Sequence, residues 1–221
     1  MKLIIPRLRH LGWVLLALLW AAGPALAAGQ PGKPAKKSSK DEVVTITTSQ
    51  GVIRVILFDD TPLHKTNFLQ KAKSGFYDGT TFHRVIPNFM VQGGDSNSKD
   101  ADPNNDGLGQ PNEGTIPAEF VAAHQHNYGA LAAARQGDFA NPQRASSSTQ
   151  FYLVQNHDGA HFLDGQYTVF GQVIQGLEVI DKIANQPRDG RDRPTADIKM
   201  TMKVEKLKRK KITKLYQYNY Q

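Results

Sequence analysis

Alternation constrains this chain more than any other pattern in it. In "EVVTITTSQGVIRVILF", residues 42–58, apolar and polar side chains take turns on either side of Ser49-Gln50-Gly51. A strand turns that order into one buried and one wet surface, because successive side chains point to opposite faces. Gly51 supplies the positive φ that a tight turn demands, so the pair reads as a β-hairpin. Further strands are predicted at "TTFHRVI", "FMVQGG", "QFYLVQN" and "YTVFGQVI", with a last one in "DIKMTMKVEKL". Two segments break the pattern. "TPLHKTNFLQKAKSG" has Thr61 as N-cap, Pro62 at the first helical position, Phe68, Leu69 and Ala72 on one face, and Gly75 as stop, which predicts a helix of about three turns. "LEVIDKIAN" predicts a shorter one. Ser96 to Gly114 reads as an irregular polar loop. So many strands with two helices predict a mostly β fold closed into a barrel, since closure removes exposed strand edges.

The ends have a different chemistry. Lys2, Arg7 and Arg9 precede an apolar run from Leu11 to Ala22 and a small-x-small site at Ala25-Leu26-Ala27. Residues 1–27 are therefore expected to be a secretory signal peptide cut near Ala27, leaving a periplasmic or secreted protein. The run is short of the roughly 20 residues a membrane span needs, and an uncleaved anchor is the alternative. With no cysteine in the chain, stability rests on the core without disulfides. Residues 28–41 read as a basic Pro/Gly/Lys linker, 42–207 as the folded domain, and 208–221 as a basic, tyrosine-rich, unstructured tail. The formal charge of +7 belongs to these ends, for Asp41 to Met202 holds 13 basic against 19 acidic residues. No specific nucleic-acid partner is expected; binding of the tail to nucleic acid or an anionic surface is the alternative.

The stretch "TFHRVIPNFMVQGGD", residues 81–95, sets one guanidinium in an apolar strand. Strand alternation puts Phe82, Arg84 and Ile86 on one face and His83 and Val85 on the other. An arginine in a strand ordinarily snorkels over the surface. Here Phe89 and Met90 add an aromatic and a soft thioether, Gln92 a neutral donor and acceptor, and Gly93-Gly94 a place for close backbone approach. A fixed cation beside an apolar pocket and an amide suits an apolar, neutral substrate that carries an amide, as proline in a peptide does.

Together with "STQFYLVQN" and "HFLDGQYTVFGQVIQGLEVIDKI", this stretch resembles the cyclophilin family of peptidyl-prolyl cis-trans isomerases, in particular exported bacterial members, over about Glu42 to Val204. The resemblance implies an eight-stranded antiparallel barrel capped by two α-helices, an active groove on its outer face and no cofactor. It assigns Arg84 and Gln92 to catalysis, Arg84 as donor to the prolyl nitrogen with Gln92 holding it. It assigns Phe89, Met90, Gln150, Tyr152, Phe162, Leu163 and Tyr167 to substrate binding, with the backbone of Ala134 and Arg135 gripping the peptide. Four positions depart from the usual family residues: Tyr152 stands where phenylalanine is usual, Arg135 where asparagine usually ends the gripping segment, Phe162 where many members have tryptophan, and Tyr167 where many have histidine. Weak binding of cyclosporin is expected, because Phe162 lacks an indole donor. Proline-containing folding polypeptides are the implied substrates of a monomeric enzyme, and a non-catalytic peptide-binding or chaperone module is the alternative.

Two other patterns compete. "DPNNDGLGQPNE", Asp102 to Glu113, fits the spacing of a calcium-binding EF-hand loop. No helix is predicted before it and Pro103 and Pro111 interrupt it, so a solvated acidic loop is expected, with calcium as the alternative. His124, His126, His157 and His161 lack cysteine or carboxylate partners at metal-ligand spacing and read as surface histidines, and no metal site is expected. Ser146 to Ser148 reads as a loop.

Overall fold

The predicted hairpin forms with its turn at Ser49 and Gln50, joining β1 (Lys40–Thr48) to β2 (Gly51–Leu57). The computed structural model describes residues 38–220. The expected signal peptide and linker residues 28–37 lie outside the described residues. After β2 come α1 (Pro62–Lys73), β3 (Phe82–Ile86), β4 (Met90–Gly93), β5 (Thr115–Ile116), β6 (Ala130–Ala133) and β7 (Ser146–Ser147). Then follow β8 (Phe151–Val154), β9 (Val169–Gln175), α2 (Leu177–Ala184), β10 (Met200–Lys208) and α3 (Arg209–Tyr216). Short β5 pairs with β7, where Ser146 and Ser147 were expected to be loop.

Helix α1 starts at Pro62 as predicted, but the Thr61 hydroxyl caps nothing. The Glu119 carboxylate does so instead, accepting from the N–H groups of Leu63 and His64, each at 3.0 Å. That sets negative charge at the positive end of the helix dipole, while Lys71 and Lys73 face the negative end. His64, Phe68, Leu69 and Ala72 form its buried side.

The remaining eight strands form one antiparallel sheet in the order β10-β1-β2-β9-β6-β8-β4-β3. It curls around a core of alternate strand residues, such as Ile46, Val55, Val91 and Leu153, packed with α1 and α2. The fold is mostly β, but the expected closed barrel is corrected to an open, curled sheet. No ladder joins its edge strands β3 and β10. The irregular segment after α2 covers the edge of β3 instead: Val85 N–H donates to Asp192 O at 2.8 Å and Phe82 N–H to Ile198 O at 3.0 Å. Just outside β3, Thr81 and Lys199 form one isolated bridge.

The tail expected to be unstructured is also corrected. Ile212 of α3 is fully buried and packs with Val43, Ile56 and Leu207. Arg209 reaches Asp59 at 2.5 Å and Asp41 at 3.2 Å, and its guanidinium lies 4.4 Å from the centre of the Tyr220 ring. Buried Ile212, half-buried Tyr216 and the ion pairs of Arg209 hold the helix, and its lysine-rich composition hides it.

Candidate active site

The strand registers assemble the site. Arg84 lies opposite Gln92 across β3 and β4, Gln92 opposite Tyr152 across β4 and β8, and Tyr152 opposite Ala132 across β8 and β6. Cross-strand partners share a face, so these four form one row. The next row holds Ile86, Met90 and Val154. Both lie on the face turned away from the main core. The predicted alternation fails at one residue: a register shift between Phe82 and Arg84 makes His83 the extra residue of a bulge, and Phe82 turns into the core beside Val85. Among the described residues the Arg84 guanidinium makes no hydrogen bond or ion pair, and it faces solvent.

Beside Arg84 an apolar basin forms from Met90, Ala132, Tyr152 and Val154, with Phe89, Ala134, Leu163 and Tyr167 packed against them. The rings of Tyr152 and Tyr167 meet edge to face at 6.0 Å. Phe162 stands at the rim, 72% exposed, its ring centre 5.6 Å from that of Phe89. At the end of β4 the Gly94 backbone has φ of 90°, and a Cβ there would lie 2.7 Å from Thr149 O, which explains the glycine.

The expected polar contacts are partly corrected. Gln92 does not hold Arg84; its Nε2 donates to Gln150 Oε1 at 3.0 Å, and Gln150 Nε2 donates to Gly107 O at 3.1 Å. Nor is the Ala134 backbone free to grip a peptide, since its N–H donates to Gln150 O and its C=O accepts from Ser147 N–H. Of the two residues, Arg135 alone has main-chain groups without a partner among the described residues. The Arg135 side chain is a strut: it donates to Gln166 O at 2.9 Å, pairs with Asp138 at 2.6 Å and stacks 4.3 Å from the Tyr167 ring centre.

Sequence reasoning missed two residues. His126, expected at the surface, is fully buried, and its Nε2 meets the Tyr152 hydroxyl at 2.9 Å. Its Nδ1 meets Asp164 Oδ1 at 2.7 Å, and Asp164 Oδ2 meets the exposed His161 at 3.0 Å. The signal was the tyrosine where phenylalanine is usual, because a buried phenol needs a partner. Burial raises the Tyr152 pKa well above the ordinary tyrosine range. Burial also lowers that of His126 against the opposing pull of Asp164. Burial works to raise the Asp164 pKa, but hydrogen bonds from the His126 backbone and ring and from His161 outweigh it and hold the carboxyl below its usual range.

The other histidines meet separate carboxylates, His124 with Asp60 and His157 with Asp181. In the loop of Asp102 to Glu113 the acidic groups diverge as well. Asp102 accepts from Asn104, Asp106 pairs with Arg193, and Glu113 accepts from Ser96 and Thr149. Among the described residues no group of three or more histidine or acidic side chains is arranged to hold a metal.

Residues 43–204 match the family model described as cyclophilin type peptidyl-prolyl cis-trans isomerase/CLD. A peptidyl-prolyl cis-trans isomerase of Acinetobacter baylyi is 38% identical over 151 residues, covering 66% of this chain and 73% of that one. A peptidyl-prolyl cis-trans isomerase-like 2 of Rhizopus delemar is 36% identical over 171 residues, 75% of this chain but 29% of the relative's length. Among solved structures, a cyclophilin type isomerase of Cryptosporidium parvum, crystallised in the presence of the dipeptide Ala-Pro, is similar with a TM-score of 0.63. It is 27% identical, and the match covers 74% of this chain and 98% of that one. The chain belongs to the cyclophilin-type peptidyl-prolyl cis-trans isomerase family.

Proposed function

We propose that the chain accelerates rotation about X-Pro bonds by donating a hydrogen bond from Arg84 to the prolyl nitrogen, with the proline ring seated in the basin of Phe89, Met90, Tyr152 and Leu163. Such rotation faces a barrier of about 18–20 kcal/mol, set by conjugation of the nitrogen lone pair. In the twisted transition state that lone pair is released and accepts the bond better than in the planar ground state, so the interaction lowers the barrier. Gln92 and Gln150, bonded to each other, serve as an amide pair for the peptide main chain, with the free main-chain groups of Arg135 beside them. No nucleophile or base takes part. The observation that carries this reading is the row of Arg84, Gln92 and Tyr152 on one sheet face, with the guanidinium unpaired beside an apolar basin.

The Ala-Pro present with the Cryptosporidium parvum relative supports proline-containing peptides as the ligand class. The signal-like sequence of residues 1–27 supports a periplasmic or secreted enzyme acting, as a monomer, on exported folding proteins. Exposed Phe162, which has no indole donor, supports weak cyclosporin binding.

The test is a protease-coupled assay on a short X-Pro peptide. Arg84→Ala is expected to cut turnover by about 10²-fold or more with thermal unfolding unchanged. A folded variant that keeps most of its turnover overturns the mechanism. A wild-type chain that binds the peptide without isomerising it makes this a peptide-binding module.

A further inference from the structure

His126 touches both walls of the proposed basin while lying wholly beneath them. Its carbonyl accepts from Ala160 N–H at 2.7 Å, and its own N–H donates to Asp164 Oδ1 at 2.8 Å. Ala160 and Asp164 flank the short helical turn His161–Leu163, which carries Phe162 and Leu163. One residue therefore pins both ends of that turn. Its ring adds the second wall: Nδ1 meets Asp164 at 2.7 Å and Nε2 meets the Tyr152 hydroxyl on β8 at 2.9 Å. A carboxylate at Nδ1 fixes the neutral tautomer with the proton there, leaving Nε2 to accept from tyrosine.

We propose that His126 is a positioning residue for the isomerase reaction, setting the width of the proline basin by tying Tyr152 to the Phe162-Leu163 turn, and that it does so only as the neutral imidazole. The inference rests on the groove assigned above. When Nε2 gains a proton it donates to the phenol oxygen, so the phenol proton must turn away from His126 toward the apolar side chains around it. The groups facing this chain are few. Asp164 and His161 belong to the turn and Tyr152 to β8, with Tyr167 and Arg135 beyond the phenol. Asp164 favours the protonated ring and burial opposes it; burial prevails, so the neutral clamp persists into mildly acidic solution.

Steady-state kinetics of X-Pro peptide isomerisation against pH, on the whole folded chain, read the effect. In the wild type KM is expected to rise as His126 becomes protonated, while kcat stays within about twofold. His126→Asn keeps an N–H for Asp164, does not titrate and does not reach the phenol. Its KM is expected to be about fivefold higher and free of the acid limb. Tyr152→Phe deletes one hydroxyl and is expected to lose the same limb, which keeps the inference testable if the asparagine variant fails to fold. A folded His126→Asn or Tyr152→Phe chain with the wild-type acid limb in KM overturns the proposal.

The Leu163 methyl signals in NMR separate this outcome from failure of the groove itself. They are expected to follow the His126 titration in the wild type and to stay fixed in His126→Asn. Methyls that ignore the titration overturn the clamp. Methyls that follow it while KM stays flat support the clamp and overturn the placement of Leu163 in the groove.

Discussion

Two histidines in this molecule are built alike and end differently. His64 on α1 and His126 before β6 each place Nδ1 2.7 Å from a carboxylate, Glu119 and Asp164 respectively. Each also donates its backbone N–H to that same carboxylate. Both rings are buried, and burial lowers both pKa values against the pull of the acid. The difference lies at Nε2. In His64 it has no partner and the ring lies 5.6 Å from that of Phe170 in the main core, whereas in His126 it holds the phenol of the basin. One motif thus fastens a helix to a core and the other fastens two walls of a groove. A buried histidine-carboxylate pair does not announce a role; the atom on its far side does.

The comparison breaks most easily at His64. His64→Ala removes one member of a buried pair and leaves Glu119 facing a void, which typically costs about 3 kcal/mol. Denaturant unfolding is expected to show that loss, while isomerase turnover per folded molecule and its KM stay as in the wild type. A change in KM at constant stability would show that the inner pair also reaches the groove, and the contrast would fall.

A smaller effect sharpens the outer member. Phe162 rides on the turn held by His126 and is open to solvent, so Phe162→Trp adds an indole donor at the rim without disturbing the clamp. Cyclosporin inhibition is expected to tighten by about 1 kcal/mol, the net value of one hydrogen bond. Titration of the isomerase assay with the drug measures it, and equal inhibition of both forms removes Phe162 from the explanation.

What could be read in advance follows from how far each signal reaches. The hairpin at Ser49 and Gln50, α1 and β8 were legible because alternation, capping positions and apolar spacing act within a few residues. Strand β6, "ALAA", was not, since it is buried throughout like β8 but carries none of the β-branched or aromatic residues that mark a strand in "FYLV". Bulging at His83 was equally hidden, because the pairing of β3 with β4 decides it and turns Phe82 inward. Helix α3 depends on Ile212 finding a seat between β1 and β2 residues that lie far away in sequence. Of the candidate site, Arg84, Met90, Tyr152 and Leu163 were named from their motifs. His126 and Asp164 were not, because 38 residues separate partners that meet only after β8 is laid down.

The smallest expected effect tests whether the inner pair is purely structural. Glu119→Gln keeps an oxygen for one N–H of the first turn of α1 but removes the charge at the helix dipole and weakens the hydrogen bond from the His64 ring, a loss of about 1 kcal/mol. Burial acts to raise the Glu119 pKa, yet hydrogen bonds from His64 and Leu63 prevail and hold it below the usual range. A carboxyl with a depressed folded pKa stabilises above its unfolded value and loses that contribution as pH falls through the folded one. His64, held neutral by burial, works in the same direction, since the unfolded chain takes up its proton first as acid is added. Stability of the wild type is therefore expected to fall on acidification, starting near the ordinary histidine range of about 6.5 and steepening below the carboxylate range of about 4. In Glu119→Gln the lower part of that fall should be shallower, because the carboxyl that titrates there is gone, while the acid limb in KM assigned to His126 remains. If the substitution erases that limb as well, the two histidines titrate as one system and the fold does not keep its helix fastening separate from its groove.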